Sequence, residues 1–355
     1  MESGIDILGI PRSKLGRTLD RLGVGRVHTN DVFAALHSCT ADTSRLARLG
    51  PQKKRRLLES CLVEPVRLCS SMRPATSTPF TDAEKLLFTL RDSRLVEGVL
   101  LPQKSGRVSV CVSSQAGCGM GCRFCATAQL GFERHLSAGE IIGQVIQAAA
   151  RCRQRGQRLS GVVFMGMGEP LQNYRALKPA LEILLDHHGL MLAARNITVS
   201  TVGSVKGINQ LAADFGGTVS LALSLVAGTQ ATRETVMPTA QHNPLAALKA
   251  ACSEYPLPGA RRYLLLEYPL LPGVNDTDEE LEGVARFADG LNGVVNLIPF
   301  NPYPGAEFRS PTHEEIDSAW KRLTALGVKV TIRRPRGRNT HAACGQLARR
   351  NTVQA

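Results

Sequence analysis

The chain has 355 residues, 43% of them hydrophobic and 21% charged, with a formal net charge of +13. That apolar content is enough for a sizeable core, and neither a run of about eighteen apolar residues nor a basic and apolar leader is present, so the expectation is a cytoplasmic protein without a membrane partner. Ten cysteines, dilute and irregularly spaced, argue against a disulfide-built secreted scaffold.

The positive charge sits at the two ends. Residues 1–80 carry 13 Lys/Arg against 7 Asp/Glu, and residues 318–355 carry 9 against none, leaving the middle slightly acidic. A polyphosphate partner touched by both termini accounts for this, because neutralised phosphates release counterions. Solubility charge on exposed helices gives the same pattern.

In chain order, Ser13–Leu22, Asp31–His37, Ser44–Leu49 and Lys53–Leu62 show apolar residues at helical spacing, with breaks at Gly23-Val24-Gly25 and Gly50-Pro51. Residues 1–80 therefore read as a small, basic helical module. The segment Cys69–Asp82, rich in Ser, Thr and Pro, reads as a linker. Lys85–Leu90 and Arg94–Leu101 read as a β-hairpin, so that residues 81–107 join the module to the main domain.

From Val108 onward, strand and helix signals alternate. Strands are expected at Val108–Ser113, Gly161–Met165, Asn196–Ser200, Val219–Ser224, Tyr263–Glu267, Val294–Ile298 and near Val328–Ile332, with helices between them. Ser137-Ala138-Gly139-Glu140 is a capping box, and Asp276 and Thr312 are the expected N-caps of later helices. Repeated βα units imply an α/β fold with a parallel sheet. A partial barrel over 108–335 and an open doubly wound sheet give the same alternation. Residues 336–355 form a basic tail.

Just after the first of these strands stands Cys118-Gly119-Met120-Gly121-Cys122-Arg123-Phe124-Cys125. Three thiols on a glycine-bearing loop can hold one iron-sulfur cube and leave its fourth iron without a protein ligand. Zinc also takes thiolates, usually four in two close pairs, and no second pair lies nearby. Gly166-Met167-Gly168-Glu169-Pro170 follows the second strand; its glycines let backbone approach a ligand, and Glu169 can accept hydrogen bonds from an ammonium group. Ser200 ends the third strand, Ser224-Leu225-Val226 the fourth, and Asn296-Leu297-Ile298-Pro299-Phe300-Asn301 the sixth.

The cysteine spacing, with an aromatic before the third thiol, resembles the radical S-adenosylmethionine (SAM) superfamily. Together with Cys111-Val112-Ser113-Ser114-Gln115 and Ala342-Ala343-Cys344-Gly345-Gln346-Leu347, the ordered motifs resemble the RlmN/Cfr family of radical SAM RNA methyltransferases, from Glu97 to Leu347. The resemblance implies an incomplete (β/α)6 barrel with its chemistry at the carboxyl ends of the strands. It implies a [4Fe-4S] cluster on Cys118, Cys122 and Cys125, and SAM held by Gly168, Glu169, Ser200, Ser224, Leu225, Val226 and Asn301.

The activity implied is methylation of adenosine C2 in 23S ribosomal RNA, and in tRNA, with C8 as the rival position. Cys344 takes a methyl group from one SAM, a second SAM yields the radical that activates it, and Cys111 resolves the RNA–protein adduct through a transient disulfide. Glu97 matches the family's proton acceptor, and a reducing donor such as flavodoxin supplies electrons. A metal-containing RNA-binding protein without catalysis is the reading from another class. The chain departs from the family at two places. Val226 stands where the family usually has His, and Arg336-Gly337-Arg338-Asn339-Thr340-His341 replaces an acid-bearing stretch beside Cys344. No oligomer is implied.

Overall fold

A computed structural model of the chain describes residues 4–38, 43–74, 82–103, 105–259, 262–333 and 342–347. The basic stretch 336–341 and residues 75–81 of the expected linker therefore lie outside the described residues.

Three short helices come first: α1 (Arg12–Arg21), α2 (Thr29–His37) and α3 (Pro51–Ser60). The segment expected as a helix at Ser44–Leu49 is instead a 3-10 stretch, Thr43–Leu49. Leu15 and Leu19, one helical turn apart on α1, are fully buried, whereas Arg17 and Arg21 are not. The module does not stand apart from the rest. Asp6 accepts hydrogen bonds from Ser137 Oγ at 2.6 Å and Gly139 N at 3.2 Å, and Arg12 pairs with Asp186 at 2.8 Å, tying it to later helices.

Among the described residues the main sheet has ten strands. Four at one side are antiparallel: β1 (Val66–Met72), β2 (Glu84–Leu90), β3 (Leu95–Pro102) and β4 (Arg107–Cys111). The linker reading of Cys69–Asp82 is corrected here, since residues through Met72 form a strand. β1 is the outermost strand and is mostly exposed, so backbone pairing with β2 makes it a strand without any apolar alternation to announce it. A two-stranded hairpin, β5 (Gln115–Gly117) and β6 (Phe132–His135), brackets the cysteine loop and was not anticipated, being three and four residues long.

Beyond β4 the strands run parallel, joined by helices: α4 (Ala138–Arg153), β7 (Arg158–Phe164), α5 (Tyr174–Leu185), β8 (Ile197–Thr201), α6 (Val205–Phe215) and β9 (Ser220–Ser224). Then follow α7 (Gln230–Val236), α8 (Leu245–Glu254), β10 (Leu264–Leu270), α9 (Asp278–Ala288), β11 (Gly293–Pro299), α10 (His313–Ala325) and β12 (Val330–Ile332). The order β4-β7-β8-β9-β10-β11 is the six-stranded parallel unit of the expected partial barrel, and β12 adds a seventh parallel strand.

The capping box at Ser137 forms as expected, and Thr312, expected as an N-cap, closes a second one, each with reciprocal hydrogen bonds to a Glu three residues on. The cap of α9 is Thr277 rather than Asp276, whose carboxylate accepts a hydrogen bond from Gly273 N at 2.8 Å. No helix among the described residues is long and apolar enough to cross a membrane.

Candidate active site

The carboxyl ends of the parallel strands converge on one cavity. Cys118, Cys122, Cys125, Gly168, Glu169, Ser200, Ser224, Val226, Asn301 and Cys344 all line it, so most residues singled out from the sequence meet in one place. A second cavity of about 530 Å³, in the size range of small-molecule sites, adjoins it and is lined by Cys111, Cys344, Asn301 and Arg333. Two expected residues line neither cavity. Leu225 faces the hydrophobic core and contributes backbone alone: its N–H donates to Glu267 O at 3.0 Å. Glu97 is buried on β3 with its carboxylate 2.6 Å from Lys85 Nζ. It stands two residues before Val99, the cross-strand partner of Cys111, and on the same face, since β3 residues two apart share a side.

The cysteine loop is held from several directions. Arg123 N donates to Val236 O at 3.0 Å, Tyr303 OH to Arg123 O at 2.9 Å, and Ala126 N to Gly345 O at 2.7 Å. Gly121 sits at φ +71°, a conformation that glycine adopts without strain. Burial pushes the Cys118 thiol up to about 12 and the Cys122 and Cys125 thiols up as well, so their negative charge becomes favourable only with a bound cation.

The spacing of the three sulfurs separates the two metal readings. Among the described residues, the group whose ligand atoms all lie within 4.8 Å of one another is Asp186, His187 and His188, not the three cysteines. At least one pair of the sulfurs is therefore farther apart. Thiolates on a single zinc ion stand about 3.8 Å from each other, given a Zn–S bond of about 2.3 Å. A cube that takes one thiolate per corner suits the wider set.

Glu169 is the second anchor. Its carboxylate accepts from Leu171 N at 3.0 Å and Val202 N at 2.8 Å, and burial raises its pKa to about 7. The carboxylate thus joins the ends of β7 and β8, with lone pairs left for a donor in the cavity. Gly168, at φ +97°, lies so close to Gln115 that a Cβ would meet its side chain at 2.5 Å. The Gln115 amide oxygen in turn accepts from Glu169 N at 2.9 Å.

Val226 has φ +69°, unusual for a β-branched residue. Its N–H donates to Glu267 O at 3.3 Å, and its carbonyl accepts from Asn275 Nδ2 at 2.7 Å, which together impose the conformation. Its buried side chain packs with Cys122, Met237 and Phe300.

Sequence reasoning missed Arg233, Glu267, Met165 and Arg333. Glu267 closes an otherwise apolar Leu-Leu-Leu run, and a lone charge in such a run is a signal. Its Oε2 accepts from Asn296 Nδ2 at 2.9 Å and lies 3.7 Å from the Arg333 guanidinium. Arg333 stands where both cavities meet, with Met165 Sδ 3.6 Å away. The nearby Cys344, Glu267 and Cys111 raise its pKa.

The Radical SAM superfamily profile matches residues 112–288. A dual-specificity RNA methyltransferase RlmN from Anaeromyxobacter dehalogenans is 38% identical over 348 residues, covering 97% of this chain and 91% of the relative. The chain belongs to the RlmN family of radical SAM RNA methyltransferases. Another RlmN relative, from Pelobacter propionicus, is 43% identical and covers 74% of each chain. The crystal structure of a radical SAM methyltransferase from Sphaerobacter thermophilus superposes with a TM-score of 0.88 at 37% identity, covering 97% of this chain and 99% of the other. RlmN membership carries a [4Fe-4S] cluster and SAM as cofactors, and the three cavity-lining thiols and the Glu169 carboxylate suit them.

Proposed function

We propose that this RlmN-family enzyme methylates C2 of an adenosine in 23S ribosomal RNA, and in tRNA, with Cys344 carrying the transferred carbon. The observation that carries the reading is the place of Cys344: it lines the cavity of the three cluster thiols and also the adjoining cavity that holds Cys111. A sulfur at that junction can be loaded from one side and unloaded to the other.

When bound, the cluster and SAM supply the methyl group and the 5'-deoxyadenosyl radical that activates it. The need for a radical route lies in the base, whose C2 between two ring nitrogens is electron-poor. Cys344 accepts the methyl group through its sulfur and keeps the carbon as a thioether until it is joined to the base, a joining that gives up the ring proton and one electron, which the cluster would take back when bound. Cys111 then attacks the Cys344 sulfur. An S–S bond forms and the S–C bond breaks, and the electron pair left on carbon takes a proton to complete the methyl group. Burial holds the Cys111 thiol near 12, so it needs a base or a neighbouring cation to react, and Arg333 is the cation beside it.

Glu97 is the proposed acceptor of the ring proton, supported by its burial and by its place on the Cys111 face of the sheet. The exposed Lys and Arg of residues 1–80 support RNA as partner. A low-potential donor of the flavodoxin kind is proposed as the electron source.

The test is nucleoside mass spectrometry of unmodified ribosomal RNA and tRNA incubated with reduced, reconstituted enzyme and methyl-deuterated SAM. Labelled 2-methyladenosine is expected from the native enzyme and none from Cys344→Ala. Labelled 8-methyladenosine would move the reaction to the other ring carbon. Methylation by Cys344→Ala would overturn the role of that cysteine.

A further inference from the structure

Arg233 is the largest fully buried side chain of the described residues, and its surroundings are neutral. Its Nε donates to Leu225 O at 3.0 Å, and its terminal nitrogens donate to Val202 O at 2.5 Å, Ser224 O at 3.5 Å and Asn243 O at 3.4 Å. All four partners are carbonyl oxygens. A buried guanidinium with dipoles around it and no carboxylate against it is an expensive arrangement, and burial lowers its pKa to about 10, which still leaves it charged at neutral pH.

The negative groups near it belong to the cluster site. Arg233 lies on α7, whose last residue, Val236, accepts the Arg123 N–H of the cysteine loop at 3.0 Å. Val236 and Met237 pack against Cys122. Val202 and Ser224, whose carbonyls Arg233 bonds, line the same cavity as Cys118, Cys122 and Cys125, so the guanidinium stands behind the wall of that cavity. Val202 links the two ionic residues of the site: its carbonyl accepts from Arg233 while its N–H donates to Glu169 Oε2 at 2.8 Å.

We propose that Arg233 is the buried positive charge that poises the iron-sulfur cluster, a positioning residue that favours the reduced over the oxidised cube. A thiolate-held cube gains one more negative charge when it takes up an electron. A fixed cation behind the wall of its cavity therefore stabilises the reduced form more than the oxidised form, and cluster potentials respond to local charge in this way. The four carbonyl bonds hold that cation, and the three from Val202, Ser224 and Leu225 also set the ends of β8 and β9, which face the cofactor cavity. The proposal rests on the cluster site and not on which carbon is methylated, so a failure to find 2-methyladenosine leaves it standing.

The experiment uses anaerobically reconstituted full-length protein without RNA or SAM, titrated potentiometrically with dithionite and followed by electron paramagnetic resonance. In Arg233→Gln the reduced-to-oxidised ratio at a fixed potential is expected to fall about tenfold, a shift of about 59 mV to more negative values for one electron. Arg233→Lys keeps the charge and is expected to stay within a few-fold of the native ratio. A Gln variant that takes up no iron, beside a Lys variant that loads and titrates normally, fits the same role. A fully loaded Gln variant with native potential would overturn the proposal. So would loss of iron from both variants with equally lowered apo-protein melting temperatures, which would make Arg233 a folding clamp.

Discussion

The carbonyl of Gly345 accepts the N–H of Ala126 at 2.7 Å, so the residue after Cys344, the proposed methyl carrier, is bonded to the residue after Cys125, the last thiol of the cysteine loop. Thr127 Oγ1 adds a bond to Leu347 O at 2.7 Å, and Gln346 Nε2 one to Pro302 O at 2.8 Å. The described tail is fastened to the loop that holds the cluster, and the Cys344 sulfur inherits its position from that loop.

Thr127→Val removes one of these bonds and leaves a buried carbonyl unsatisfied, at a cost of about 1–3 kcal/mol. The expected result is a tail more readily cleaved by protease and RNA methylation lowered by about 3- to 10-fold, with iron content unchanged. Loss of iron in parallel with activity would mean that the bond serves the cluster loop rather than Cys344.

Glu169 gives a pH dependence whose sign follows from burial. Its folded-state pKa, about 7, lies above the ordinary carboxyl value of 4.5, so the folded protein binds the proton more tightly than the unfolded chain. Its contribution is present below pH 4.5, declines as pH rises through 7, and is flat above that. The decline amounts to about 2–4 kcal/mol. Urea unfolding of cluster-free protein between pH 5 and 8 checks it, and Glu169→Gln is expected to flatten the profile over that window.

Lys85 and Glu97 are both buried and 2.6 Å apart. Lys85→Met leaves the carboxylate buried without this ammonium and is expected to destabilise by about 3–5 kcal/mol, whereas Lys85→Met/Glu97→Leu recovers most of that loss. Denaturant titration of the single and double variants gives the comparison. A folded double variant that still methylates RNA would remove Glu97 from the proton-transfer role.

Val226→His places an imidazole where a valine now holds φ +69°. Histidine adopts that backbone region more readily than a β-branched residue and adds a hydrogen-bonding edge to the cavity wall. Calorimetry with S-adenosylhomocysteine and reconstituted protein is expected to give an affinity about 3- to 10-fold tighter than native, corresponding to a single modest hydrogen bond. Unchanged affinity would mean that the backbone of this turn, not its side chain, meets the cofactor.

The amino-acid sequence by itself determined the features whose causes are local. The thiol trio is a spacing within eight residues, the capping boxes at Ser137 and Thr312 each span four, and the alternation of strand and helix follows from patterning along single segments. The parallel strands from β4 to β11 were legible in this way, because buried Val, Leu, Ile or Phe recur along each of them.

Only the tertiary structure decided the rest. β1 is a strand because β2 pairs with it, not because of its own composition. Leu225 turns into the core between Ser224 and Val226, which face the cavity, so a motif of three consecutive residues delivers two side chains and one peptide. The burial of Arg233 was invisible for the same reason. Arg233 looks like a surface residue until carbonyls from other segments close around it, and the carbonyl of Val202 is 31 residues away. A charge can be buried where its partners converge, and that convergence is a property of the folded barrel alone.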